Sequence, residues 1–275
     1  MFQYLKKIIG LLLCVAILFS FSACKIKNNT YTSESITTTV PKKDKENITP
    51  SIMYKTSAQN DKYIYSMGEQ GIVLEKYIGQ DTDVITPQSI DGVTVTEIGK
   101  DCFAKNENIT SVELSRSLKT VNTFAFYSCT NLKKLTIRDG VKTICGSAFA
   151  DCSSLETVVF PESVKEIKEC AFINCTNLSS ITFQGERELT IGASAFSNTP
   201  IKRLFLPEGT KSISNAAFYN CKNLKEVIIP KSITKIENNA FKKSPKVVLY
   251  VQSGSYGVIF ANTAGEKYKI QNSEN

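Results

Sequence analysis

The residues best suited to chemistry in this chain are its cysteines. Of nine, Cys14 lies in an N-terminal apolar run and Cys24 directly follows it, which leaves an odd set of seven. In an exported protein such a set raises the question of disulfides. Four of them, Cys129, Cys152, Cys175 and Cys221, recur at one slot, three residues after a Phe. Equivalent slots in a stack lie about 5 Å apart with parallel side chains, which is poor geometry for a bridge. The pattern predicts a ladder of buried thiols acting as small apolar fillers. Cys145 and Cys170 hold other slots, and a bridge to either stays open. With no Cys-x-x-Cys pair and no His, metal binding is disfavoured and no cofactor is expected.

Catalysis is equally poorly provided for. The missing His removes the commonest general base. There is no Gly-x-Ser-x-Gly elbow and no Walker loop. The carboxylate pairs Glu166/Glu169 and Glu186/Glu188 fall on variable repeat positions, where a solvated face explains them. The expected protein is not an enzyme. Its net charge of +7 includes Lys6 and Lys7, and is compatible with acidic partners. No dense run of Lys and Arg interleaved with aromatics is present, so nucleic acid is not an expected partner.

Lys6 and Lys7 precede an apolar run from Ile8 to Ala23, too short to span a bilayer comfortably and typical of a secretory signal. The run closes on Phe21-Ser22-Ala23-Cys24, which resembles the lipobox of bacterial lipoproteins. That resemblance implies lipidation at Cys24 and a membrane-anchored, extracytoplasmic location. Residues 1–23 are read as the signal peptide and 24–60 as a flexible polar linker, rich in Thr, Ser, Asn and Lys and broken by Pro41 and Pro50. The folded body is expected over 61–275.

That body is a repeat. Phe recurs at 103, 126, 149, 172, 196, 218 and 241, at intervals of 22–24 residues. From Phe126 onward each follows Ala. Six residues after Phe comes Leu or Ile in five units, with Ile201 one place early in another, and then an apolar-x-apolar triplet such as Leu135/Ile137 or Val227/Ile229. Alternation marks a short strand with one buried face. No unit can bury that face alone, so the units must stack. The expected architecture is an α/β solenoid of about seven 23-residue units, with one parallel sheet, short helical turns at Ala-Phe-x-x-Cys, and end caps. Residues 61–97 form the N-terminal cap and first unit, with a hairpin turning at Gly68 and Gly71. The repeats occupy 98–249 and the C-terminal cap 250–275, with a short helix between Gly254 and Gly265 and a last strand over 266–270.

The segments Asn131–Leu135 through Ala148–Cys152, and Leu224 to Phe241, closely match one unit. They resemble the BspA-type leucine-rich repeat of bacterial surface proteins. The resemblance implies a cell-surface binding protein or adhesin whose partner is a protein or glycan of a host matrix, a host cell or another bacterium. A structural or regulatory scaffold docking a protein of its own cell is the alternative. A monomer is expected.

Outward residues at the triplet centres supply the candidate site. They are Glu113, Thr136, Val159, Thr182, Phe205, Ile228 and Val248, polar at first and apolar towards the C-terminus. Lys134, Arg138, Arg203, Glu226 and Tyr250 are expected to flank the row. An apolar centre with an Arg and Tyr margin has the composition of a binding hot spot, although plain strand propensity favours the same residue types.

Overall fold

The computed structural model describes residues 57–271. The expected signal peptide, the lipidation residue Cys24 and most of the expected linker lie outside those residues.

Each repeat forms one coil with three sides. The apolar-x-apolar triplets form the first side. These strands are β4 (Asp83–Ile85), β7 (Ser111–Leu114), β9 (Lys134–Ile137), β11 (Thr157–Phe160), β13 (Ser180–Phe183), β15 (Arg203–Phe205), β17 (Glu226–Ile228), β19 (Val248–Gln252) and β20 (Tyr268–Gln271). They run parallel in two ladders, one five-stranded and one four-stranded. The nine strands exceed the seven Phe units because the first unit and the C-terminal cap each add a coil. The ladder lapses between β13 and β15, where the repeat spacing is irregular. An extra residue in 185–190 precedes that junction, and a shortened 198–201 forms it. On this side a backbone bond from Lys202 N–H to the Ser179 carbonyl at 3.3 Å still links the two coils, which stay paired through β14 and β16 on the second sheet.

A second sheet lies on another side, so the expectation of one parallel sheet is corrected. It is eleven-stranded. An antiparallel N-terminal part comprises β1 (Ser57–Gln59), β2 (Tyr63–Met67) and β3 (Ile72–Tyr77). It continues through β6 (Val93–Ile98), to which β5 (Ser89–Ile90) attaches. Then come β8 (Thr120–Val121), β10 (Thr143–Ile144), β12 (Glu166–Ile167), β14 (Leu189–Ile191), β16 (Thr210–Ile213) and β18 (Lys235–Ile236). Several of these strands have only two residues, too few to show alternation in a sequence. The hairpin turn falls where expected, with Gly68 N–H bonded to the Gly71 carbonyl at 2.8 Å.

The third side carries Ala-Phe-x-x-Cys, and it is not helical. It is a chain of tight turns in which two residues in each of the first six Phe coils take left-handed backbone angles, for example Ser147 (φ 54) and Asp151 (φ 60). Such residues are preferentially Asn or Asp, and Asp151, Asn174, Asn198 and Asn220 stack here in consecutive coils. Their side chains form a ladder: Asn174 donates to Asp151 at 2.9 Å, Asn198 to Asn174 at 2.7 Å and Asn220 to Asn198 at 2.7 Å. The left-handed residues turn alternate peptides along the stacking axis. Phe126 N–H donates to Ala148 (2.7 Å), Phe149 to Ala171 (2.8 Å), Phe172 to Ala195 (2.7 Å) and Phe218 to Ala240 (2.8 Å). Every one of these N–H groups points towards the C-terminal coil.

Among the described residues the only α-helix is α1 (Tyr256–Ala264) in the C-terminal cap, closed by Gly265 in the left-handed region (φ 70). The fold is thus the expected leucine-rich-repeat solenoid, with nearly all of its regular structure in strands and one short helix among the described residues.

The core is a column of seven buried phenylalanines. Ring centroids lie 4.6 Å apart for Phe103–Phe126, 5.1 Å for Phe149–Phe172 and 5.7 Å for Phe218–Phe241, with planes within 11° of parallel. Tyr77 stacks on Phe103 at one end (4.9 Å) and Phe260 packs edge-on against Phe241 at the other (6.2 Å). The caps thereby cover apolar rings that the terminal coils would otherwise expose.

Candidate functional site

The thiols take no part in a site. Cys102, Cys129, Cys145, Cys152, Cys175 and Cys221 form no disulfide. Cys129, Cys152 and Cys175 donate to the carbonyls of Phe103, Phe126 and Phe149 at 3.1–3.2 Å. Cys221 donates to Phe196 at 3.2 Å. Burial pushes the Cys129 thiol up to about 12 and Cys221 up to about 11. Such thiols are poor nucleophiles. Cys145 and Cys170 are half-buried. Among the described residues no cluster of Cys, Asp or Glu could hold a metal.

The outer face of the first side is built by register. Opposite residues on parallel strands share a face, and the pairs Arg203↔Glu226, Leu204↔Val227 and Phe205↔Ile228 fix β15 against β17. The next strand pairs Glu226↔Val248, Val227↔Leu249 and Ile228↔Tyr250. The outward apolar row is therefore Phe205, Ile228 and Tyr250. Val248 is displaced from it and stands beside Glu226, a correction to the sequence expectation. The cause is a one-residue shortening in the last unit. Val247 fills the slot of Leu224, six residues after its Phe, but only Val248 separates it from Leu249, the first inward strand residue. The inward pair is Leu249/Val251, both buried. That shortening was the available sequence signal.

Phe205 is 53% exposed; Ile228 and Tyr250 are half-buried. Lys269 of the next strand sits over the Tyr250 ring at 5.8 Å. Arg203 pairs with Glu226 at 3.0 Å along one margin. Val159 is exposed (43%) but is separated from Phe205 by β13 and its central Thr182. Lys134 begins β9, three strands from Phe205. Arg138 follows β9 and pairs with Glu113 at 2.9 Å. Arg138 and Glu113 help line an open depression of about 300 Å³ with Arg116 and Ile85. Lys134 and Arg138 therefore do not border the apolar row. Ile85, 72% exposed, heads the opposite end of the face and was missed because the first unit lacks the Ala-Phe signature.

The irregular coil hides one further charge. Arg187 is buried and lies 5.3 Å above the Phe183 ring. Burial lowers its pKa. Its backbone N–H bonds the Glu208 carbonyl at 3.0 Å.

These features define a repeat protein with a broad surface of strands and no assembled reacting groups among the described residues. The BspA-type leucine-rich-repeat region matches in six copies over residues 85–189 and 189–263, and the chain belongs to that family. No curated protein matches the chain. Among solved structures it is similar to a leucine-rich-repeat protein of T. pallidum, with 23% identity over 79% of this chain and 100% of that one and a TM-score of 0.55. A leucine-rich cell surface protein of Faecalibacterium prausnitzii is 18% identical over 81% of this chain and 96% of that one, with a TM-score of 0.41.

Proposed function

We propose that the chain is a non-catalytic, cell-surface recognition protein, an adhesin, that binds a protein partner through the C-terminal half of its outer strand face. The observation that carries this reading is the alignment of Phe205, Ile228 and Tyr250 on three paired strands beside the Arg203–Glu226 ion pair. Apolar and aromatic side chains held rigidly in a row, with an Arg at the rim, match the make-up of binding hot spots. A solenoid presents them preformed, so little ordering cost falls on its side. Leucine-rich-repeat proteins are generally protein-binding. In this reading Cys24 carries the lipid anchor, and the partner is a host matrix protein, a host cell or another bacterium.

The test is surface plasmon resonance of the full chain on immobilised fibronectin and collagen, together with binding to intact cells. Saturable binding is expected, and Phe205→Ser with Ile228→Ser should weaken it at least about tenfold. Phe205 is largely exposed, so folding should persist, as checked by circular dichroism. Full binding by the folded double variant would refute the site.

A further inference from the structure

Chain order is axial order in a stacked solenoid, and the charges are sorted along it. Residues 57–113 hold four Lys and ten carboxylates. Residues 114–200 are nearly balanced, with nine cations and eight carboxylates. Residues 201–271 hold twelve Lys and Arg and only four carboxylates. The modest net charge of the sequence thus conceals an acidic first end and a strongly basic last end.

The basic end is also one-sided. Lys202, Lys222, Lys225, Lys242, Lys243 and Lys246 all lie on the third side or where it feeds the first, within three consecutive coils. All six are exposed. None makes an ion pair with a described carboxylate, and the nearby Glu226 is already held by Arg203. Lys202 and Lys225 occupy the same slot in adjacent coils, joined by a backbone bond of 2.9 Å. Lys243 lies over the Tyr219 ring at 5.2 Å, so an aromatic ring sits within the lysine field.

The backbone adds to this field. On the third side the peptides at Phe126, Phe149, Phe172 and Phe218 all aim N–H at the following coil. Dipoles aligned head to tail leave partial positive charge at their N–H end, which here is the coil of Lys242 and Lys243.

We infer that this lysine edge is a binding site for a sulfated glycan, separate from the apolar row and independent of its role. Six exposed ammonium groups, none in an ion pair with a described carboxylate, match a chain of repeated sulfates. Coils about 5 Å apart repeat at close to the length of one sugar residue. Tyr219 offers a face on which the C–H surface of a pyranose can pack. Lysine suits this task as a mobile point charge, whereas Arg would favour fixed bidentate pairing.

The experiment is a titration of the full chain, kept in mild non-ionic detergent, with heparin as probe. Binding should be saturable. With about four lysines engaged, affinity should fall about a hundredfold between 50 and 200 mM salt. Lys222→Glu, Lys225→Glu and Lys243→Glu together should weaken binding far more than tenfold at low salt. The control triple Lys211→Glu, Lys231→Glu and Lys235→Glu changes net charge equally in the same coils but towards the second sheet. It should bind within a few-fold of the parent. Melting temperature checks that both triples fold, and a Lys225→Gln/Lys243→Gln pair gives an intermediate loss without new carboxylates. Phe205→Ser/Ile228→Ser should leave heparin binding intact, which separates this site from the proposed protein site. Equal losses in both triples would reduce the effect to net charge and overturn the inference, as would equal binding of fully desulfated heparin. Failure to bind heparin, with low-salt self-association in sedimentation velocity, would overturn it in favour of head-to-tail pairing of acidic and basic ends.

Discussion

Replacing Phe172 by Ala tests the stacked core where it is densest. Phe172 is fully buried, stacked on Phe149 at 5.1 Å and on Phe196 at 5.3 Å, with Phe160 edge-on at 5.5 Å. Deleting a buried Phe costs about 3–5 kcal/mol in transfer and cavity terms. Aromatic pairs add about 0.5–1.5 kcal/mol each beyond their buried area. The loss should therefore reach the top of that range, about 5 kcal/mol. Phe241 makes a natural comparison. It has one stacked neighbour, Phe218 at 5.7 Å, and one edge-on, Phe260 at 6.2 Å. It also sits in the last Phe coil, where local fraying can relieve a cavity, so Phe241→Ala should cost about 3 kcal/mol. Urea unfolding followed by circular dichroism reads both. Because coils contact only their neighbours, the central deletion should also broaden or split the transition. A Phe172→Ala loss below about 1 kcal/mol, or one smaller than that of Phe241→Ala, would refute the column as the main source of stability.

Other perturbations probe different parts of the coil. Cys129 and Cys221 are held protonated by burial, at about 12 and about 11, whereas unfolded thiols ionise near 9. Their contribution is therefore intact below pH 9 and is lost above it, by about 1.4 kcal/mol per thiol per pH unit; a flat stability profile from pH 9 to 10.5 would contradict this. In the native protein at pH 8, iodoacetamide should label the half-buried Cys145 well before the buried Cys129, Cys152, Cys175 and Cys221, as read by peptide mass mapping. Asn198→Val places a β-branched residue at φ 62 and breaks two ladder bonds, so it should cost about 2–3 kcal/mol, whereas Asn198→Gly should cost clearly less. Gly140→Ala should cost more than about 2 kcal/mol, since a Cβ there would lie 2.0 Å from the Arg116 carbonyl oxygen at φ 134; a thermal melt unchanged from the parent would contradict the close coil approach.

Much of this architecture was legible because one slot constrains one coil. A Phe every 22–24 residues located the core column, and the Cys slot located the buried thiols. The second sheet was illegible because pairs such as Thr143–Ile144 carry no period. The third side was misread as helical because Ala-Phe-x-x-Cys has helical composition. Its left-handed residues, however, turn alternate peptides towards the next coil, a demand of stacking invisible within one unit. Phe205 and Ile228 face outward side by side as the alternation implies, but the shortened link between Val247 and Leu249 sets Tyr250 and not Val248 beside them. The lysine edge escaped because its members are scattered from 202 to 246 in sequence and converge only when coils stack.

Hydrogen–deuterium exchange of the full chain, free and saturated with a protein it binds on a cell surface, tests the recognition surface most directly. The account predicts added protection in residues 203–206, 226–229 and 248–251. Protection confined to the eleven-stranded sheet, with those three strands unchanged, would contradict it.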